Sequence, residues 1–172
     1  MGMDVYGIAP TSPDGEYFRN NVWWWRPLAD YCIEVGAAVA NKCKGWHTND
    51  GEGLNATDSQ KLCAILENEI ASGRCLEYSM AHETRRKGFE KVTCRLCHGT
   101  GIRTDEVGRN MKHHEKKITE PVNHPRLGQI GWCNWCDGEG TIESVEAWYH
   151  FSVENVENFV KFLHHCGGFS IN

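Results

Sequence analysis

Two segments of this sequence share the pattern Cys-x-x-Cys-x-Gly-x-Gly: residues 94–101 and residues 133–140. Each Cys-x-x-Cys can form a tight turn whose two thiolates point the same way. The glycines allow positive φ angles and let backbone N–H groups approach the sulfur atoms. Two such turns facing each other supply the four thiolates of a tetrahedral zinc site. The pattern therefore predicts one structural zinc ion, with the ligands Cys94, Cys97, Cys133 and Cys136.

The two segments resemble the zinc-binding repeats of the DnaJ-type chaperones at both cysteines and both glycines of each repeat. That family carries four repeats and two zinc ions, whereas this chain has two repeats and room for one ion. The J domain of the family needs His-Pro-Asp, and this chain has only His124-Pro125-Arg126, after the first repeat. The resemblance therefore implies the metal site and not chaperone activity.

Five further cysteines lie mostly within helix-like patterns. Their odd number argues against the disulfide framework of a small secreted protein. We expect them to be small buried apolar side chains in a reducing cytoplasm. No apolar run is long enough to predict a membrane span. These cysteines are Cys32, Cys43, Cys63, Cys75 and Cys166.

Apolar spacing predicts helices on both sides of the cysteine repeats. The first runs from Pro27 to about Ala40, with proline at the first helical position. The second begins at a capping box formed by Thr57 and Gln60 and ends near Gly73.

A third helix is predicted over about 74–86, with Leu76, Met80 and Tyr78 facing inward. The last helix follows Ser152, a good N-cap residue.

Helices followed by a late strand, helix and strand predict an α+β fold. We expect a body formed by residues 3–91 and 143–172, interrupted by a zinc-binding insertion at 92–142. Ile102 and Ile142 are expected to start short strands that leave the two cysteine turns. The other predicted strands cover residues 4–8, 147–151 and 169–171.

Charge is distributed unevenly along the chain. From Thr84 to Arg126 there are 11 Lys/Arg against 5 Asp/Glu, and the remainder has 7 against 18. We therefore expect an acidic body and a basic insertion that contacts a protein or nucleic-acid partner, or that docks on the body itself. The stretch 102–132 is poor in apolar side chains and is predicted to be an extended or partly mobile loop. The candidate contact residues are Arg95, Arg103, Arg109, Lys112, Lys116, Lys117, Arg126, Trp132 and Trp135.

A second candidate site lies in the aromatic run Trp23-Trp24-Trp25. These three side chains cannot all face inward from either a helix or a strand. At least one should be exposed, line a pocket or form an interface such as a homodimer contact. With Arg19 and Arg26 they provide the chemistry to hold a flat anionic ligand such as a nucleotide.

The whole chain resembles small uncharacterised phage and prophage proteins that open with the pattern Tyr-Phe-Arg…Trp-x-Trp-x-Pro-Leu. The resemblance implies a phage setting in the host cytoplasm. An alternative function there is sequestration of a host signalling nucleotide or inhibition of a host defence protein. The matching residues are Tyr17, Phe18, Arg19, Trp23, Trp25, Pro27 and Leu28.

Two enzymatic alternatives have weaker support. Residues 113–115 and 133–136 together resemble the signature of zinc deaminases. In that interpretation Trp132 replaces a required proline, and the first cysteine pair has no role. A nucleophile built from Cys43 and His47 has no supporting pattern. The sequence therefore predicts a protein that acts by binding rather than by catalysis.

Overall fold

A computed structural model describes residues 2–172, which form an α+β fold as predicted. The chain divides into two compact units. The first, here called the body, comprises the chain up to Gly88 together with Trp148–Asn172; the second, here called the insert, is Phe89–Ala147. Among the helices of residues 2–172, none has the length and apolar character needed to cross a membrane.

The elements alternate irregularly between strands and helices, and the insert contributes only three short ones. In chain order they are β1 (Gly2–Gly7), β2 (Tyr17–Asn21), α1 (Val22–Val35), α2 (Ala37–Ala40), β3 (Gly53–Asn55), α3 (Ala56–Ala71), α4 (Arg74–Lys87), β4 (Val92–Thr93), α5 (Glu106–Asn110), β5 (Thr141–Ile142), α6 (Val153–His165) and β6 (Gly168–Ile171). Short 3₁₀ turns occupy Pro13–Gly15 and Val145–Trp148.

The body contains an antiparallel sheet with the strand order β2-β1-β6-β3. In β1 the apolar side chain of Val5 is buried opposite Phe18 and Ile171, so one face of the sheet covers the core. Strands were predicted at both ends of the chain, but β3 was not. Gly53 allows β3 to pair closely with β6, because a Cβ there would overlap the carbonyl oxygen of Phe169.

The body has one hydrophobic core, formed where α1, α3 and α6 pack against the sheet. The five cysteines outside the repeats are buried and unbridged, as predicted. The largest fully buried side chains include Trp25, Leu28, Leu62, Leu66, Phe159, Phe162 and Phe169.

The first helix does not begin at Pro27, and this part of the prediction is wrong. α1 begins at Val22 because the Asn21 side chain accepts hydrogen bonds from the N–H groups of Trp23 and Trp24. Pro27 therefore lies inside the helix, which ends at Val35 rather than continuing to Ala40.

The second helix is capped by Asn55 and not by the predicted Thr57/Gln60 box. The Asn55 side chain accepts the N–H of Asp58 at 2.9 Å and donates to the Asp58 carboxylate at 2.9 Å. Gln60 instead donates to backbone carbonyls in the last turn of α6, including that of His164 at 3.1 Å. A polar side chain expected to act locally thus joins two helices.

The third helix turns a different face to the core from the one predicted. Leu76 and Met80 are 56% and 65% exposed, whereas Cys75 is buried and Tyr78 is half-buried, as expected for Tyr78. Tyr31 and Phe151 form an aromatic cluster of the body, and the rings of Tyr78 and His82 pack onto it. Contact with that cluster, rather than the hydrophobicity of α4 alone, decides which side is inward.

The strand predicted over 147–151 is absent. The 3₁₀ turn ends at Trp148, and the rings of Trp148 and Tyr149 both pack on Trp23 instead of alternating between two faces. The last helix was predicted correctly, and the Ser152 hydroxyl caps it by accepting the N–H of Asn155.

Candidate metal centre

Both cysteine repeats adopt the same backbone turn. The residue after the second cysteine has a φ of 50° in each case, at His98 and at Asp137. The glycines that follow, Gly99 and Gly138, have φ angles of 85° and 81°. Histidine and aspartate are among the residues that enter this left-handed region most readily, and glycine does so without steric cost. The residue types after each cysteine pair therefore match the geometry they must adopt.

The last glycine of each repeat directs its N–H at a cysteine sulfur. Gly101 donates to Sγ of Cys97 at 3.3 Å, and Gly140 donates to Sγ of Cys136 at 3.2 Å. A Cβ at Gly140 would overlap the carbonyl oxygen of Gly99, and Gly101 has the equivalent contact with the second repeat. The glycines thus allow both the N–H···S hydrogen bonds and the close packing of one repeat on the other.

One pair of strands holds the two repeats together. A short strand does leave the second cysteine turn, as predicted, but it starts at Thr141 and ends at Ile142; this strand, β5, pairs with β4 in antiparallel fashion. Ile102 does not start a strand. The Ile102 side chain lies against Gly131. The next residue, Arg103, donates its backbone N–H to the Trp132 carbonyl at 3.1 Å, but this single hydrogen bond does not make a strand. The positive φ of 97° at Gly131 bends the chain out of extended geometry.

The four sulfur atoms lie at the spacing of a tetrahedral metal site. All four cysteines are buried, and their Sγ atoms lie within 4.8 Å of one another. The Cys94–Cys133 and Cys97–Cys136 sulfur separations are 3.9 and 3.6 Å. A tetrahedron with metal–sulfur bonds of about 2.3 Å requires about 3.8 Å between sulfurs. The four cysteines therefore fit one structural metal ion, and four thiolates are a ligand set typical of zinc.

Electrostatics favours a cation at this position. Burial raises the pKa of the Cys136 thiol to about 12, and it also raises the pKa of Cys133. Burial acts in the same direction on Cys94, but hydrogen bonds from the backbone of Cys97 and Leu96 and from the side chains of Cys97 and Cys136 together outweigh it and lower the Cys94 pKa. Buried thiolates are costly without a positive charge, so ion binding displaces protons from this cluster.

The chain between the repeats is folded, contrary to the extended loop predicted. It contains α5 and buries Ile118, His113 and His124. His124 Nε2–H donates to the Asp137 carbonyl at 2.6 Å, and its Nδ1 accepts the Arg126 N–H at 3.0 Å. Ile118 supplies an apolar centre, and the His124 ring bonds to a backbone carbonyl of the second repeat.

Sequence reasoning missed His124 and Arg126 as supports of the metal centre. The Arg126 guanidinium donates to the Gly138 carbonyl at 3.2 Å, next to the His124 contact with Asp137. The segment His124-Pro125-Arg126, which stands in contrast to the His-Pro-Asp motif of J domains, therefore supports the second cysteine turn. This role could not be predicted from the residue types, because it depends on contacts with residues 12 or 13 positions later in the chain.

Neither enzymatic alternative is assembled. His113 is buried against the edge of Trp132, with 5.1 Å between ring centroids, and the metal-binding group that contains Cys133 and Cys136 is completed by Cys94 and Cys97. Cys43 is buried, and burial raises its pKa. His47 Nε2 bonds to the Asp30 carboxylate at 3.0 Å. The four thiolates fill a tetrahedral shell and provide no open position for water.

Two of the candidate basic residues in the insert are held by local bonds. Arg103 forms an ion pair with Asp105 at 2.8 Å, and the Arg109 guanidinium donates to the Thr104 carbonyl. The Lys116 ammonium lies 3.3 Å from the centre of the Trp132 ring, a cation–π contact. Lys112 and Lys117 are exposed. A cleft of about 370 Å³ is lined by residues that include Lys116, Lys117, Trp132 and Asp137.

The insert as a folded unit is not strongly basic. Over Phe89–Ala147 there are 8 Lys/Arg and 9 Asp/Glu, so the positive charge counted from the sequence comes partly from the end of α4. Acidic side chains are concentrated at and after the second cysteine repeat. They are Asp137, Glu139, Glu143 and Glu146.

Trp135 and Arg95 occupy the exposed turns of the two cysteine repeats. Trp135 is 44% exposed, and the Arg95 guanidinium carbon lies 5.6 Å from its ring centre. Trp132 is half-buried, and its indole N–H donates to the Asp137 carboxylate at 2.9 Å. Of the two tryptophans in the insert, Trp132 contacts other residues of the fold and Trp135 faces solvent.

The three consecutive tryptophans of the body have different environments. Trp25 is completely buried, and its indole N–H donates to the Trp46 carbonyl. Trp23 and Trp24 are half-buried, and Trp24 stacks on His150 with 5.0 Å between ring centroids. The expectation that the run cannot be wholly inward is confirmed, but Trp25 belongs to the core and not to a binding site.

The two arginines beside the tryptophans have different partners. Arg19 lies on β2 and pairs with Asp4 at 3.5 Å. Arg26 lies on α1, donates to the Tyr149 hydroxyl at 3.3 Å and has its guanidinium 6.0 Å from the Tyr149 ring centre. Arg26 opens onto a cleft.

That cleft, of about 320 Å³, was not predicted as a unit. Its lining includes two arginines, two tyrosines and a histidine. Burial lowers the pKa of His82, and the charges of Arg85 and Arg86 lower it further. The positive surroundings are partly offset by Asp30. The lining residues are Arg26, Pro27, Asp30, Tyr78, His82, Arg85 and Tyr149.

In comparisons with known proteins, no family model matches the sequence, and neither a curated protein nor a solved structure resembles it significantly.

Proposed function

We propose that this protein is a non-enzymatic, zinc-containing binding protein whose insert contacts single-stranded nucleic acid. The observation that carries the proposal is the exposed pair formed by Arg95 and Trp135, 5.6 Å apart on the two cysteine turns. An aromatic ring beside a cation is the arrangement on which unpaired bases stack while the backbone phosphate is neutralised. The metal ion gives the pair a rigid support.

The four-cysteine centre supports a binding role rather than a catalytic one. A catalytic zinc ion needs an open coordination position for water or substrate, and four thiolates leave none. The ion holds two turns, and residues between the paired cysteines, including Arg95, Asn134 and Trp135, face solvent. Zinc therefore contributes to stability and to the presentation of these side chains.

The cleft beside Trp132 extends the proposed surface within the insert. Lys116 and Lys117 line it and supply positive charge for a phosphate group. Glu120 and Asp137 also line it, and they limit the charge of the site. This balance favours moderate, salt-sensitive binding rather than tight capture of any polyanion.

The test is fluorescence anisotropy with labelled single-stranded DNA and RNA homopolymers at about 50 mM and about 200 mM salt. We expect binding that weakens with salt and a Kd that rises about tenfold in Trp135→Ala, since one stacked base contributes about 1–3 kcal/mol. Val122→Ala is the matched control, because Val122 is an exposed apolar residue of the insert that lies outside the proposed surface. Each variant is checked for unchanged zinc content.

Absence of oligonucleotide binding at low salt would overturn the nucleic-acid proposal, and so would equal affinity of Trp135→Ala and the parent. In that case the same exposed pair becomes the candidate contact for a protein partner. Pull-down with Trp135→Ala as the negative control would then identify whether such a contact exists.

A second candidate function is the binding of a flat anionic ligand such as a nucleotide in the cleft of the body. Arg26 and Arg85 supply positive charge, and the rings of Tyr78 and Tyr149 supply surfaces for a base. The volume of about 320 Å³ is in the range of small-molecule sites. In the phage setting that the opening sequence suggests, such a protein would sequester a host signalling nucleotide.

Titration with mono- and dinucleotides, followed by tryptophan fluorescence, tests this second function. Arg85→Ala should abolish a saturable signal, because Arg85 lines the cleft. Arg19→Ala is the control, since Arg19 is also exposed but pairs with Asp4 on the sheet. An unchanged response in Arg85→Ala, or no response from the parent, would contradict the assignment.

A further inference from the structure

A second group of metal-binding side chains lies in the body, outside the four-cysteine centre. Cys63 and Glu67 belong to α3, and His164 belongs to α6. One ligand atom from each of these residues lies within 4.8 Å of the other two. Within residues 2–172, this group and the four-cysteine centre are the two places where three or more Cys, His, Asp or Glu side chains come close enough to share a metal ion.

The packing of α3 on α6 produces this group. Residues 63 and 67 are four apart, so they lie on the same face of the helix. Gln60, one turn earlier on α3, donates to the carbonyls of Leu163 and His164 at 3.1 Å each. These two bonds fix the end of α6 against α3 and hold His164 above the thiol of Cys63.

The three side chains form a layered arrangement at the surface of the body. Cys63 is 1% exposed, and its thiol points at the Val160 carbonyl with a separation of 3.6 Å. Glu67 and His164 are exposed and bond to each other at 2.8 Å from Oε1 to Nε2. A buried sulfur thus lies beneath a histidine–carboxylate pair that solvent reaches.

The donor set selects a particular class of ion. Thiolate and imidazole favour borderline or soft metals such as Zn²⁺, whereas Mg²⁺ and Ca²⁺ prefer all-oxygen sites. A thiolate and a carboxylate together carry two negative charges and the neutral imidazole carries none, so the three ligands neutralise a divalent cation. Three protein ligands leave the fourth tetrahedral position for water, unlike the four-cysteine centre.

We propose that α3 and α6 form a second divalent metal site, for Zn²⁺ or a similar ion, with Cys63, Glu67 and His164 as ligands and one position open to solvent. Binding replaces the hydrogen bond between His164 and Glu67 with two metal–ligand bonds, and the proton on His164 Nε2 moves to Nδ1 by exchange with solvent, so that the imidazole stays neutral and Nε2 is free to bind the ion. The Cys63 thiol gives its proton to solvent and its sulfur turns from the Val160 carbonyl to the ion. Only the two exposed side chains need to adjust substantially.

Cobalt titration of the metal-free full chain tests the proposal. We expect two binding events per chain: one with the intense visible bands of a tetrathiolate site, and one weaker event that also carries a thiolate-to-cobalt charge-transfer band. Zinc counting by native mass spectrometry should give two ions for the parent. His164→Ala should lose the second event and retain the first, and Glu67→Gln should weaken the second event.

His165→Ala is the matched control, because His165 is the next residue and its ring bonds to the Thr11 hydroxyl. It should retain both events. The His164 variant changes an exposed side chain, so it avoids the folding risk of replacing the buried Cys63. A parent that binds one ion only, or a His164→Ala variant that binds two, would overturn the proposal. Neither result depends on nucleic-acid binding by the insert.

Discussion

The carbonyl oxygen of Trp23 accepts a hydrogen bond from the backbone N–H of His150 at 2.9 Å. In an uninterrupted helix this carbonyl would be paired with the N–H of residue 27, but residue 27 is proline and has no N–H. His150 therefore supplies the donor that α1 lacks. The same contact places His150 over the ring of Trp24.

His150→Pro removes this donor and should lower the free energy of unfolding by about 1–3 kcal/mol more than His150→Ala does. The alanine variant keeps the N–H and loses only the ring that stacks on Trp24. Urea denaturation of both variants measures the difference. Equal stability of the two would mean that the hydrogen bond to Trp23 contributes nothing.

Cys136→Ser should release the ion of the four-cysteine centre and unfold the insert while the body stays folded. The cysteine cluster has its own small apolar surroundings, Leu96 and Ile142, which are separate from the core of the body. The measurements are metal content per chain and the pattern of limited proteolysis. Cys75→Ala, which changes a buried cysteine of the body, should keep the ion. Undiminished metal content in Cys136→Ser would show that the four-cysteine assignment is wrong.

Gly140→Ala should weaken the metal affinity by about tenfold or more. Gly140 has a φ of 86°, a Cβ there would overlap the Gly99 carbonyl oxygen, and its N–H bonds to the sulfur of Cys136. Gly128→Ala is the control, with a φ of 82° and no atom within 4 Å of the added Cβ. Competition with a chromogenic chelator measures both affinities. Similar losses in the two variants would mean that backbone strain alone, and not crowding at the metal centre, is responsible.

The lowered pKa of His82 should make the body less stable in mild acid. Burial is the main cause, followed by the charges of Arg85 and Arg86. Below about pH 6.5 the unfolded chain binds a proton that the folded state resists, so the stability contribution is full above that pH and is lost as pH falls through the lowered pKa.

Denaturation from about pH 7.5 to about pH 5 should therefore show a smaller loss of stability in His82→Gln than in the parent. His114→Gln, a change at an exposed position of the insert, should behave like the parent. An anion bound between Arg26 and Arg85 would reduce the positive field and raise the pKa of His82, which an NMR titration with nucleotide measures. Identical pH profiles for His82→Gln and the parent would contradict the linkage.

Much of the metal centre could be predicted from the sequence because its ligands follow from local chain geometry. The spacing of Cys94 and Cys97, repeated at Cys133 and Cys136, places paired sulfurs on tight turns, and the glycines permit the N–H···S bonds. The Ser152 cap of α6 was predictable for the same reason, since a cap is a contact within one turn of helix.

Other features could not be predicted because they depend on partners distant in the chain. Pro27 is tolerated inside α1 only because His150 reaches the free carbonyl. Apolar spacing alone placed Leu76 and Met80 of α4 inward, but the aromatic cluster packs against Tyr78 and His82 instead.

The sequence by itself determined the α+β composition, the four-cysteine centre and the burial of the remaining cysteines, because these depend on short-range spacing and on the cost of exposing apolar groups. Only the tertiary structure decided that Arg26 shares a cleft with Arg85, and that Cys63 lies beneath Glu67 and His164. In each case the residues come from two helices that are far apart in sequence, and each residue alone is an ordinary helix residue. Their chemistry arises when packing of the core brings their helices together.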